Sequence, residues 1–134
     1  MTEPRDPDPL KLYTVVRRSL NLTAGKVGGQ CQHAMDYLSR EVFRLMDPDR
    51  DPISEDVQAR LEDFRAWQGS KDHAKIILGA TDEEFEQVKR ENPRHFLVID
   101  LGYTQVAPNT ETCLALWPMR MSARSPILKK LRPL

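Results

Sequence analysis

The chain has 134 residues, of which 40% are hydrophobic and 30% charged, with twenty basic residues against twenty acidic ones. That is enough for one domain with a core of its own and too short for two. No apolar run approaches the roughly 20 residues that span a bilayer, no secretory leader pattern opens the chain, and two cysteines are too few for a disulfide framework. These features predict a soluble, unexported protein whose simplest home is the cytoplasm.

In chain order, "MTEPRDPDP" carries three prolines and no periodicity, so residues 1–10 read as a disordered or loosely attached leader, with one domain over residues 11–134. "LYTVVRR" is a short β-branched run suited to a buried strand. After the loop "SLNL", Thr23 is placed to cap a helix that begins "AGKVGGQCQHAMDYL". The loop "MDPDRDPIS" ends at Ser54, which predicts the cap of a second helix, "EDVQARLEDFRAWQ", stopping near Gly69. "HAKIILGA" reads as strand. Thr81 with Glu84 makes a capping box for "DEEFEQVKREN", which Pro93 stops. "HFLVID" is another buried strand, "LGYTQVAPNT" a loop, "ETCLALWP" a strand, and "SARSPILKKL" a short helix. Strands alternating with helices imply an α/β sandwich.

Charge is uneven along this order. From Met46 to Glu91 thirteen acids face seven bases, and from Asn92 onward six bases face only Asp100 and Glu111. A basic end attracts a polyanion such as nucleic acid, although a solvated tail has the same composition.

The helix after Thr23 carries the chemistry. It is not a phosphate-binding P-loop, because Leu20 and Val27 stand where that motif needs a glycine and a hydroxyl. Cys31 and His33 form a lone C-x-H, too few ligands for zinc. At about 100° per residue, Lys26, Gln30, His33 and Tyr37 share one side, and Val27, Cys31, Ala34, Leu38 and Val42 the neighbouring apolar side. The first group holds an ammonium, an amide, an imidazole and a phenol, able to donate hydrogen bonds and move protons at neutral pH. The amides of Gly25 and Lys26 would face outward at the positive helix end, favouring a phosphate or an oxyanion. Gly28 and Gly29, each costing about 1 kcal/mol of helix propensity, predict close approach by another backbone or a ligand. An ordinary amphipathic helix with a solvated Lys and His accounts for the same pattern.

Asp100 ends an apolar strand, at the sheet edge where open α/β folds place their ligands. Thr104, Gln105 and Asn109 follow in a polar loop with Gly102 and Pro108. An Asx-turn is the plainer role for Asp100. If "LYTVVRR" and "HFLVID" are parallel neighbours, Lys26 and Asp100 meet at one edge. Trp67 and Trp117 read as packing anchors, His73 and His95 as turn or solvent-facing residues, and Cys113 as core.

Two segments carry a resemblance. "AGKVGGQCQHA" resembles the G-K-x-A-A-Q-C-x-H-A segment of the type II peptidyl-tRNA hydrolase family, and "DLGYTQVAPNTETCLALWP" is similar to its D-A-G-R-T-Q-I-A-P-G-T segment and following strand. They occur in the family's order, around "WQGSKDHAKIIL", and the likeness covers Lys11 to Phe43 and Ala66 to Pro118. It implies a three-layer α/β/α sandwich around a mixed four-stranded sheet, commonly a homodimer, with metal-free, cofactor-free hydrolysis of the ester between a peptide and the terminal ribose of tRNA. By motif, the family's functional residues fall on Lys26, His33, Asp100 and Thr104. Gly25, Gln30, Gln105 and Asn109 are expected to bind substrate beside them. Departures stand at Ser19, Ala24, Gly28-Gly29, Leu101 and Tyr103, and the family's closing pattern is not evident in "SPILKKLRPL". Tyr103 replaces an arginine suited to a phosphate, for which Arg17 and Arg18 are the expected substitutes. These departures bear on tRNA binding more than on chemistry, and they motivate an alternative, a non-catalytic relative serving as a binding or dimeric scaffold module.

Overall fold

The computed structural model describes residues 4–102 and 106–134. Four strands form the body of a mixed sheet: β1 (Leu10–Arg17), β2 (Lys75–Ala80), β3 (His95–Asp100) and β4 (Thr110–Leu116). Two short strands complete it, β5 (Met119–Arg120) on β1 and β6 (Arg132–Pro133) on the outer edge of β2, giving the order β3-β4-β1-β2-β6 with β5 off the path. β1 and β2 are parallel, and every other pair is antiparallel. Helices α1 (Ala24–Met46) and α2 (Glu55–Gln68) cover one face, and α3 (Asp82–Glu91) and α4 (Pro126–Lys130) the other. This is the α/β/α sandwich expected from the sequence.

The period-2 pattern of the central strand builds both layers. Leu10, Leu12 and Val16 of β1 pack with α1 and α2, whereas Tyr13 and Val15 pack with Phe85 and Val88 of α3 and Ile127 and Leu128 of α4. On the first face Phe64, Trp67, Phe96 and Trp117 form a tilted and edge-on aromatic group, so both tryptophans are packing anchors. Three helices begin where the capping residues predict. Thr23 and Ser54 accept from the third residue beyond, and Thr81 and Glu84 form the reciprocal capping box. His73 is exposed in the loop before β2, at φ 41°. His95 is half-buried, with Nδ1 2.8 Å from the Asn92 carbonyl.

Residues 4–9 form no helix or strand, but Asp6 and Asp8 reach across to the segment after β5. Arg120 pairs with the Asp6 carboxylate at 3.1 Å and donates to the Asp8 carbonyl, while Ser122 donates to the Asp8 carboxylate from its amide and its hydroxyl.

One expectation needs correcting. β1 and β3 do run in the same direction, but they are not neighbours: β4 lies between them, antiparallel to both. Two antiparallel steps restore the direction, so the carboxyl ends of β1, β2 and β3 and the starts of α1 and α3 still share one edge.

Candidate active site

At that edge the Lys26 Nζ lies 2.7 Å from Asp100 Oδ2. Lys26 reaches it from the first turn of α1, and Asp100 is the last residue of β3. Both side chains are largely withdrawn from solvent, at 16% and 8% exposed. Asp100 Oδ2 also accepts from Gln30 Nε2 at 3.1 Å, and Oδ1 accepts from the Gly102 amide at 2.6 Å. The carboxylate therefore does two things. One oxygen makes the Asx-turn that starts its own loop, and the other holds α1. The Asn109 amide closes the same loop onto the Asp100 carbonyl at 2.8 Å, with Asn109 at φ 64° and exposed. Lys26 first, and then the Gly102 amide, hold the Asp100 carboxyl below the usual carboxylate range, outweighing its desolvation.

Gln30, expected to touch substrate, is instead 3% exposed with both ends of its amide engaged inside the protein. Its Nε2 donates to Asp100, and its Oε1 accepts from the Thr112 hydroxyl at 2.5 Å. Thr112 was not anticipated. Alternation along β4 would put it on the face opposite Cys113, yet both side chains reach α1, since Cys113 Sγ lies 3.3 Å from the Gln30 carbonyl oxygen. The cause is a bulge. Val98 pairs with Cys113 and Ile99 with Glu111, which leaves Thr112 as one extra residue in β4. A hydroxyl directly before the apolar run Cys113–Leu116 was the available signal.

His33 lies on the same side of α1, exposed. At the helix start, the Lys26 amide donates to Thr23 Oγ1 and the Val27 amide to the Thr23 carbonyl. The Lys26 amide is therefore taken by the cap, which leaves the amides of Ala24 and Gly25, both exposed, without an intrahelical acceptor. The close approach expected at Gly28 and Gly29 is absent among the described residues, where a Cβ at either would meet nothing within 4 Å.

Arg17 and Arg18 stand at the same edge, committed to internal partners. Arg17 pairs with Asp82 at 3.1 Å and donates to the Glu111 carbonyl at 2.7 Å. Arg18 donates to the Pro133 carbonyl at 2.9 Å. The Ser19 hydroxyl donates to Asp82 at 2.5 Å, so a carboxylate stands beside the end of β1 although it comes from α3. Thr104 and Gln105, with Tyr103, lie outside the described residues. Among the described residues no group of three or more His, Cys, Asp or Glu stands together as a metal-binding set, and no helix is long and apolar enough to cross a membrane.

The family model for peptidyl-tRNA hydrolase PTH2 matches residues 10–134, nearly the whole chain. The chain belongs to the PTH2-type peptidyl-tRNA hydrolase family. Among its PTH2-type relatives it is 31% identical over 114 residues to the peptidyl-tRNA hydrolase of Haloquadratum walsbyi, covering 81% of this chain and 86% of that one. It is 32% identical over 115 residues to the peptidyl-tRNA hydrolase of Methanopyrus kandleri, covering 82% and 85%. To the human mitochondrial peptidyl-tRNA hydrolase 2 it is 29% identical over 118 residues, which is 84% of this chain but 58% of that protein. The chain thus spans little more than half the length of that human relative, and most of the length of the archaeal ones.

Proposed function

We propose that the chain hydrolyses the ester joining a peptide to the 3′-terminal ribose of tRNA, by direct attack of water with neither a metal nor a covalent intermediate. The observation that carries this reading is the contact of Lys26 with Asp100 at the carboxyl edge of the sheet, beside the start of α1. An ammonium has three donors, so Lys26 can hold Asp100 and still present N–H to a developing oxyanion, alongside the Gly25 amide at the positive end of α1. Asp100 orients Lys26 and the attacking water. A carboxylate held below its usual range is a weak base, which favours orientation over proton abstraction for this residue. His33 supplies the side-chain type suited to proton exchange near neutrality as the ribose oxygen leaves. Thr104 is assigned to positioning water or ester, and Gln105 and Asn109 to substrate binding, by their place in the family motif. We further propose a cytoplasmic homodimer.

The test is peptide release from peptidyl-tRNA with a chelator present throughout. Full activity is expected in the wild type, with a loss of about 10²- to 10⁴-fold in Asp100→Asn and in Lys26→Ala. Near-wild-type rates in both variants, or abolition by the chelator, overturn the reading. The engagement of Arg17 and Arg18 with internal partners favours a second reading, a non-catalytic binding module. It predicts partner binding with no turnover at high protein concentration.

A further inference from the structure

The chain has only two cysteines, in different elements and far apart in sequence, and the fold brings them together. Cys113 is fully buried in the row Val16, Cys113, Val98 that crosses β1, β4 and β3. Cys31 of α1 is half-buried and packs against that row with Val27 and Tyr37. Both cysteines belong to one packed cluster with Val16, Ala34 and Val98, and the Cys113 thiol donates at 3.3 Å to the carbonyl oxygen of Gln30, the residue preceding Cys31.

We propose that Cys31 and Cys113 are a dithiol pair that a hydroperoxide converts to an intramolecular disulfide, and that this bond acts on the Gln30–Asp100 arrangement beside it. Packing in one cluster, with the Cys113 sulfur against the backbone of the residue next to Cys31, brings the two side chains together, which is the geometric precondition for a disulfide. The two thiols also have unequal tasks. The neighbouring Cys31 sulfur and burial push Cys113 up, so it stays protonated, whereas the adjacent Cys113 side chain holds Cys31 below the ordinary thiol value. The better-exposed sulfur is thus also the one that more readily becomes the nucleophilic thiolate. It attacks one oxygen of the peroxide, the O–O bond breaks, and the other oxygen leaves with a proton from solvent as an alcohol or water. Cys31 is then a sulfenic acid. The Cys113 sulfur attacks the Cys31 sulfur, and the hydroxyl departs with the Cys113 proton as water. Two thiols are oxidised to one disulfide while the peroxide takes up two electrons.

Oxidation removes the S–H that can donate to the Gln30 carbonyl and ties α1 to β4 at the residues adjoining Gln30 and Thr112. The effect on activity rests on the function proposed above, whereas disulfide formation does not. The experiment treats the reduced full-length protein with hydrogen peroxide and reads intact mass and alkylatable thiols. A loss of about 2 Da with disappearance of both thiols, reversed by dithiothreitol, is expected. It should be abolished in Cys31→Ala and in Cys113→Val. Wild-type protein that keeps both thiols, or gains oxygen without losing both, overturns the pair. Disulfide-bonded protein is expected to release peptide from peptidyl-tRNA about tenfold more slowly until reduced, and an unchanged rate overturns the link to Gln30 and Asp100. If even the reduced protein shows no hydrolysis, the proposed activity fails while the mass measurement still decides the thiol pair.

Discussion

Replacing Lys26 by Met keeps the length of the side chain and removes its charge, which isolates the ion pair from its packing. Asp100 would retain its bonds from Gln30 and Gly102 and lose the one from Lys26. A hydrogen bond to a charged group is worth about 1.5–3 kcal/mol, and the small residual exposure of both partners argues against the upper figure for breaking a fully buried pair, so about 2 kcal/mol is expected. For 134 residues the unfolding entropy is about 0.3 kcal/mol per degree, which converts this to a fall in Tm of about 7 °C at neutral pH. The sign with pH follows from the direction of the Asp100 shift. Because its folded-state value is depressed, the stabilisation is fully present above the unfolded carboxylate value of about 4 and is lost as pH falls through the lower folded value. Thermal unfolding of wild type and Lys26→Met from pH 7 down to about 2.5 should show the gap in Tm constant above about pH 5 and closing below about pH 4. Equal Tm at pH 7, or a gap that does not narrow in acid, would refute the assignment of the stabilisation to this pair. The same variant should lose about 10²- to 10³-fold in peptide release, because it also removes the cation proposed to face the oxyanion.

Thr112→Val is nearly isosteric and fully buried, but it removes the donor that satisfies Gln30 Oε1. It should cost about 1–3 kcal/mol in denaturant unfolding and lower kcat about tenfold with KM little changed. Gly102→Ala places a side chain at φ 84°, with its Cβ 2.6 Å from the Pro108 backbone nitrogen. A loss of about 1–3 kcal/mol is expected by the same measurement, with activity lowered because the Gly102 amide is one of the donors that fix Asp100.

What the sequence revealed was local. Thr23, Ser54 and the Thr81/Glu84 pair mark helix starts because a cap is decided by residues three positions apart. The apolar side of α1 was legible for the same reason, since Ala34, Leu38 and Val42 are buried at helical spacing. Asp100 was legible because an acid closing an apolar strand has few other places to go. What was not legible depended on neighbours distant in sequence. That β4 inserts between β1 and β3 cannot be read from either strand, because pairing order is a tertiary choice. Thr112 was missed because a bulge breaks the period-2 rule that assigns faces. Gln30 read as a substrate-binding amide because its burial depends on partners supplied by β3 and β4.

These non-local pieces also decide what Asp100 can do. Lys26, Gln30 and Gly102 all present N–H to it, so the described neighbours of this carboxyl are donors. A protonated Asp100 would bring a further donor into a ring of donors, which is the physical reason the ionised form is favoured. The same constraint fixes the Gln30 amide: its NH2 must face the carboxylate, which leaves its oxygen for the Thr112 hydroxyl. Polarity therefore runs one way from Thr112 through Gln30 to Asp100, every member is satisfied, and a reversed amide would place donor against donor. Asp100→Asn cannot be silent in such a setting, because an asparagine has one acceptor oxygen where the ring requires two, and its NH2 must oppose either Gly102 or the Lys26 and Gln30 pair. Its consequence is a displaced Lys26 as much as a lost charge, which is why the loss expected there is comparable with that of removing the lysine itself.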